Sequence, residues 1–218
     1  MPYQLTRPHL LATSRALAYA EELSSLSENT GAPLWRAFTL ILRGWMSSLT
    51  RDETDAAAMI GAGLDAYAAT GGTAFNPIFR CALARAHAAC GRFDAGQKSI
   101  SEALDHIQRT NERWAEAEVH RTAGELIVAA VQNDEEPEAH FRRSLAIARQ
   151  QGARSWELRA ATSLARLWRD ADRHPEARVV LAPIYGWFSE GFGTQDLQQA
   201  KALLAELDRS DRRPDATT

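Results

Sequence analysis

The sequence predicts an all-α protein built from a row of helix pairs, and three observations support this. Ala, Leu, Glu, Arg and Gln, which are strong helix formers, are abundant, whereas Gly and Pro number only 13 and 8 in 218 residues. β-branched runs hardly extend beyond Ile127-Val128 and Val179-Val180. Several landmarks recur at a step of about 40 residues, as in helical repeat arrays.

The landmarks keep this step independently of one another. Small residues that follow an apolar neighbour recur in mid-helix at Gly44, Ala84, Gly124 and Ala165. Chain reversals recur at Thr30-Gly31, Thr70-Gly71, Thr110-Asn111 and Gln151-Gly152. Aromatic residues follow these reversals at Trp35, Phe75, Trp114 and Trp156, where they are interpreted as structural staples. An irregular helical bundle with helices of similar length is the alternative.

Each unit is predicted to contain two helices. The first helices are expected at about 34–50, 75–90, 113–131 and 155–170, and the second at about 53–69, 93–110, 135–150 and 174–190. A leading helix is expected at about 8–27 and a capping helix at about 194–208, with Trp187-Phe188 beneath the cap. Residues 1–208 would form one domain, followed by a disordered polar tail at 209–218.

Small residues should mark the places where paired helices cross, because close backbones leave no room for large side chains. On the second helices, the positions that match the small residues of the first are Ala56, Gly96 and Ala177. Pro137 replaces the small residue in the third unit, so a local difference is expected there.

The second unit resembles a tetratricopeptide repeat. The likeness is carried by Leu83-Ala84, His87, Gly91, Phe93, Gly96, Ile100 and Ala103-Leu104. Two features depart from that family: the step is about 40 residues instead of about 34, and His87 stands where the family usually has Tyr. The resemblance implies a right-handed superhelix of about four helix pairs with a leading helix and a C-terminal cap.

A closer resemblance covers most of residues 32–208. The stretches RWAEAEVHRTAGELIVAA and EAHFRRSLAIARQQGARSWELRAATSLARLWRD, and LAPIYGWFSEGFGTQDLQQAKALLAEL after them, resemble a C-terminal region of bacterial class III adenylate/guanylate cyclases linked to AAA-like (STAND-type) ATPases. This implies a regulatory or sensor arm in signal transduction. Neither catalytic part is recognised here, since the sequence contains no GxxxxGK[ST] loop. An excised module and a stand-alone relative both remain open.

Charge and composition exclude several functions. The net charge of −3 and pI near 6.1 give no overall basic field for nucleic acid or anionic membrane. No apolar run approaches the ~20 residues of a membrane span, and the N-terminal pattern does not fit a signal peptide. Cys81 and Cys90 are too far apart on one predicted helix for a disulfide, so a cytoplasmic protein is expected.

No metal, cofactor or catalytic centre is predicted. His120 and His140 lie on neighbouring predicted helices near Glu125 and Glu138, but a zinc site needs three or four converging ligands. No GxSxG nucleophile motif occurs. The chain is therefore expected not to be an enzyme.

The tetratricopeptide resemblance places a binding groove along the first helices. The expected groove residues are Phe38, Ile41, Trp45, Ile78, Cys81, Arg85, Glu118, Arg121, Glu125, Arg159, Thr162, Arg166 and Arg169. The arginines suit carboxylate or phosphate groups of a partner, or they pair with Glu118, Glu125, Glu157 and Asp170 of the chain itself.

Three functions follow from this groove. The first is binding of a peptide or a partner domain without catalysis. The second is regulation of cyclase and ATPase domains of the same system. The third is sensing of a small anion by Trp45, Arg85 and Arg121. A homodimer through the leading helix also remains open.

Overall fold

The computed structural model describes residues 32–50, 55–130 and 137–210, together with 18–19, 22–23 and 25–26. Within these ranges the chain is all-helical, with nine complete helices and no strand, as predicted. The helices are α1 (Pro33–Thr50), α2 (Ala56–Ala69), α3 (Asn76–Ala89), α4 (Phe93–Thr110), α5 (Glu116–Ala130), α6 (Pro137–Gln150), α7 (Arg154–Asp170), α8 (His174–Tyr185) and α9 (Gln195–Ser210).

Some predictions fall partly outside the described residues. The six described positions between 18 and 26 are helical, but the rest of the predicted leading helix lies outside the description. So do the reversal at Thr30-Gly31, residues 51–54 and 131–136 at the connections between predicted helices, and the tail from residue 211. Helix α9 continues to Ser210, two residues beyond the predicted end of the capping helix at 208.

The predicted reversals at 110–111 and 151–152 are confirmed. They turn on Asn111, with φ of 57°, and Gly152, with φ of 64°. Asn and Gly tolerate this left-handed conformation best, so each can end a helix and start the next connection. At the start of α2, Asp55 accepts a hydrogen bond from the backbone N–H of Ala58 at 3.1 Å, which caps the helix.

The helices pack as four pairs in chain order. Helices α1 and α2, α3 and α4, α5 and α6, and α7 and α8 make the most extensive contacts. Each odd-numbered helix also contacts the next odd-numbered one, from α1 through to α9. Among the described residues, the even-numbered helices make no comparable contacts with one another. The odd-numbered helices therefore form one continuous row.

The predicted small residues lie where paired helices cross. A Cβ on Gly44 would come within 2.9 Å of the carbonyl oxygen of Ala56. A Cβ on Gly96 would come within 3.1 Å of the carbonyl oxygen of Ala84. Both pairs join positions matched from the sequence alone, and these crossings are thereby confirmed.

The third pair crosses differently. This was expected, because Pro137 stands where the other second helices have a small residue. A Cβ on Gly124 would come within 2.6 Å of the ring of Phe141, one turn into α6. Phe141 is completely buried. In the third pair, Gly124 therefore faces the Phe141 ring. In the first two pairs, the glycine faces the backbone of a small residue on the partner helix.

The capping helix is confirmed, but one detail beneath it was wrong. Leu197, Leu203 and Leu207 of α9 are buried in the core shared with α7 and α8. Phe188 packs against this core as expected, whereas Trp187, expected beside it, is 57% exposed. Helix α8 ends at Tyr185 rather than near 190, so Trp187 lies in the turn beyond the helix and not on a helical face towards the core.

Within the described residues, every helix is too short or too polar to serve as a membrane span.

The two cysteines do not form a disulfide. Cys81 is buried, Cys90 is exposed, and both are free thiols. Burial raises the pKa of the Cys81 thiol to about 11, which leaves it protonated and unreactive at neutral pH.

Candidate functional site

A network of charged side chains joins α3 to α5. On α5, Glu118, Arg121 and Glu125 follow one another at helical spacing and share one face. Arg121 donates through Nε to Glu118 Oε2 at 2.9 Å and through Nη2 to Glu118 Oε1 at 2.8 Å, and its Nη1 contacts Glu125. From α3, Arg85 Nη2 donates to Glu118 Oε1 at 2.7 Å and to the hydroxyl of Thr122 at 2.6 Å.

These charges are removed from water. Glu118, Arg121 and Glu125 are 2%, 3% and 1% exposed. Burial by itself would raise the pKa of Glu118, but the guanidiniums of Arg121, Arg159 and Arg85 hold that pKa well below its usual value of 4.5. Glu118 is therefore ionised at neutral pH and is the carboxylate on which three arginines converge.

Helix α7 extends this network towards α9. Arg159 Nη2 lies 3.2 Å from Glu118 Oε1, and its Nε lies 3.8 Å from Asp196 Oδ1 on α9. Arg166 donates from Nη2 to the amide oxygen of Gln199 at 2.9 Å. These two arginines and Arg121 border a cleft of about 10 Å³, which is the size of one water molecule. Its other lining residues are Thr162, Ser163, Asp196 and Gln199.

Positive charge exceeds negative charge around this cleft. Helices α3, α5 and α7 contribute four guanidiniums, and among the described residues three carboxylates face them. The cations are Arg85, Arg121, Arg159 and Arg166, and the anions are Glu118, Glu125 and Asp196. Burial and the neighbouring guanidinium of Arg121 lower the pKa of Arg159 despite its two carboxylate neighbours. The surplus is therefore concentrated at the α7 end.

The structure joins five of the predicted groove residues in one ionic network, and Thr162 and Arg166 line the cleft beside it. Arg85, Glu118, Arg121, Glu125 and Arg159 form the network. Arg169 instead pairs with Asp170 and with Glu206 of α9, and Arg166 contacts Gln199. Internal pairing, one of the two interpretations of these arginines, is thus present for Glu118, Glu125 and Asp170. Glu157 binds Arg149 and Arg154, which were not expected in the groove.

The apolar groove residues belong to the core of the first two pairs. Ile41 is completely buried and would meet a Cβ on Gly63 at 2.6 Å, so it packs α1 on α2 and offers no surface to a partner. Phe38, Trp45 and Ile78 are half-buried against the same core. The cleft that Arg121 borders includes neither Trp45 nor Arg85, and the anion pocket expected from these three residues stays a prediction.

An aromatic row runs along one end of the helix pairs, and its continuity was not predicted. Ring centroids are 5.9 Å apart for Trp35 and Phe38, 6.4 Å for Phe38 and Phe75, 5.5 Å for Phe75 and Trp114, and 5.8 Å for Trp114 and Trp156. Trp35, Phe75 and Trp114 remain 49%, 46% and 41% exposed. The 40-residue recurrence signalled Trp35, Phe75, Trp114 and Trp156, but not that they form one row, in which Phe38 connects the first two rings.

The last two rings of the aromatic row border an open cleft of about 480 Å³. Arg113, Gln151 and Arg154 line it beside Trp114 and Trp156. Arg113 bonds Glu116, and Arg154 bonds Glu157. The row therefore presents apolar surface with charged groups at its rim.

Within the described residues, no group of three or more His, Cys, Asp or Glu side chains is arranged to hold a metal ion. A scan against protein-family models finds no matching family, and a search of curated proteins finds no similar sequence. The likeness to tetratricopeptide proteins and to cyclase-linked ATPases therefore stays a prediction.

Proposed function

We propose that this chain is a tetratricopeptide-like superhelix that binds a protein or peptide partner on the face formed by its odd-numbered helices, without catalysis. The contact pattern supports the curvature. Odd-numbered helices touch their odd-numbered neighbours, whereas the described even-numbered helices do not touch one another. A row that is closer on one side than on the other curves towards the closer side, as solenoid arrays do. The odd-numbered helices would then line the concave surface.

The observation that carries the proposed function is the uncompensated positive charge at the α7 end of this face. Among the described residues Arg166 bonds only the neutral Gln199, and Arg159 shares Glu118 with two other arginines and has Asp196 at the longer distance of 3.8 Å. Guanidinium forks favour carboxylates as partners. The partner segment that suits this face is therefore acidic.

The size of the cleft limits what the partner inserts. The cleft of about 10 Å³ has room for one water-sized group, such as a carboxylate oxygen of a partner. The rest of the binding energy must come from contacts across the face. This favours an extended peptide or a protein surface over a free anion.

A capture experiment tests the proposal. The chain with Arg159→Gln and Arg166→Gln loses two cations without placing a new carboxylate beside Glu118. Partners captured from a cell lysate are quantified by mass spectrometry at low and high salt. We expect the double variant to lose the salt-sensitive partners that the wild-type chain retains, because exposed charges are screened by salt.

The matched control carries Arg109→Gln and Arg178→Gln. These arginines are exposed on the even-numbered helices α4 and α8. The control should capture the same partners as wild type. Equal capture by the Arg159/Arg166 variant, with an unchanged circular dichroism spectrum, would rule out this face as the binding surface.

A further inference from the structure

Two histidines face each other across the third helix pair. Nδ1 of His120 on α5 lies 3.2 Å from Nδ1 of His140 on α6. The ring centroids are 5.4 Å apart, with 38° between the ring planes. Both side chains are partly exposed, so an ion from solvent can reach them.

The His120 imidazole is in the neutral form that binds a metal ion. Burial and the neighbouring His140 lower the pKa of His120 to about 4, so its imidazole is neutral at pH 7. Glu116 opposes this shift and would favour a cation nearby, whereas Arg143 disfavours one. Two Nδ1 atoms in contact require a proton on one and a lone pair on the other. Moving that proton to Nε2 of its own ring exposes a second lone pair, with no net proton release.

The nitrogen separation matches two neighbouring ligands of one ion. Zinc–nitrogen bonds are about 2.0–2.1 Å long, and at that length two nitrogens 3.2 Å apart subtend roughly 100° at the ion. This angle lies between the right angle of square-planar Cu²⁺ and the tetrahedral angle of Zn²⁺.

We propose that His120 and His140 bind a divalent late transition-metal ion through their Nδ1 atoms. Water completes the coordination, since no third protein ligand converges there among the described residues. Imidazole ligands select Cu²⁺, Ni²⁺ and Zn²⁺, and the Irving–Williams order places Cu²⁺ first. The bound ion would tie α5 to α6 at a point where no covalent bond joins them. This inference is independent of partner binding on the odd-numbered helices.

The test uses full-length protein without an affinity tag, titrated with Cu²⁺ and, separately, with Zn²⁺. Calorimetry measures stoichiometry and affinity, and electron paramagnetic resonance of the Cu²⁺ complex counts coordinated nitrogens. We expect one tight ion per chain with two coordinated imidazoles. The variants His120→Gln and His140→Gln should each weaken metal binding by more than about tenfold. Mutation of residues that only orient a metal ligand already lowers metal affinity by about that factor.

His174→Gln is the matched control, because His174 is a partly exposed histidine on α8, outside the third helix pair. It should bind Cu²⁺ and Zn²⁺ as wild type does. Unchanged affinity in both site variants, or a wild-type Cu²⁺ spectrum with fewer than two imidazole nitrogens, would overturn the proposal. The wild-type spectrum decides the matter even where a variant fails to fold.

Discussion

Arg121 is the residue whose removal should expose the energetics of the buried network. In Arg121→Met the side chain keeps a similar length but loses its charge. Removal of one partner from a buried ion pair costs about 3–5 kcal/mol. Glu118 would retain Arg85 at 2.7 Å and Arg159 at 3.2 Å, and Glu125 would retain Arg85 at 3.4 Å. The lower end of that range, about 3 kcal/mol, is therefore expected.

Urea denaturation followed by circular dichroism measures this loss. A change of about 3 kcal/mol is a large part of a typical stability of 5–15 kcal/mol, and it lowers Tm by roughly 6–12 °C for a chain of this size. Arg178→Met is the control, because Arg178 is 53% exposed and its ion pair with Asp208 lies at the surface. It should cost less than about 1 kcal/mol. Equal losses in the two variants would refute the view that the network is energetically buried.

Two further substitutions and a pH series extend this test. Gly124→Ala should destabilise the chain by about 1–3 kcal/mol, because its Cβ would meet the buried ring of Phe141 at 2.6 Å. Gly61→Ala should stabilise the chain by about 0.5–1 kcal/mol, because Gly61 lies in a helix and an added Cβ would have no atom within 4 Å. If urea denaturation shows that both substitutions change the free energy of unfolding in the same direction, the packing argument is contradicted. The lowered pKa of Glu118 adds stability above its usual 4.5, and this stability declines as pH falls below that value. The stability difference between wild type and Arg121→Met should therefore shrink in acid, and a constant difference from pH 7 to pH 3 would count against it.

Sequence reasoning succeeded where a single physical requirement fixes the residue type. A close helix crossing excludes large side chains, so Gly44 with Ala56 and Ala84 with Gly96 could be matched from their period alone. Left-handed backbone positions favour Asn and Gly, so the reversal at Asn111 could also be recognised. These features are local, because the residues of each crossing and each reversal belong to one helix pair and its connection, and their recurrence marks them.

The candidate site was only half predictable, because its contacts join different units. The sequence placed Arg85 and Glu118 among the groove residues, but it could not decide whether they would face a partner or each other. That choice depends on the distance between α3 and α5, which no single unit encodes. Trp114 and Trp156 show the same limit, since their recurrence was visible and their stacking was not.

Contacts between units also explain why recognition should concentrate at one end. Arg85 on α3 and Arg121 on α5 both pair with the carboxylates of Glu118 and Glu125, so the charges of the second and third helix pairs neutralise one another. Helix α7 lacks an equivalent pair of buried carboxylates, and its Arg166 meets an amide of α9 instead. A partner carboxylate placed at α7 would therefore supply what Glu118 and Glu125 supply at α5. The partner proposed for this face would therefore place a carboxylate beside the α7 arginines, as Glu118 and Glu125 do beside Arg85 and Arg121.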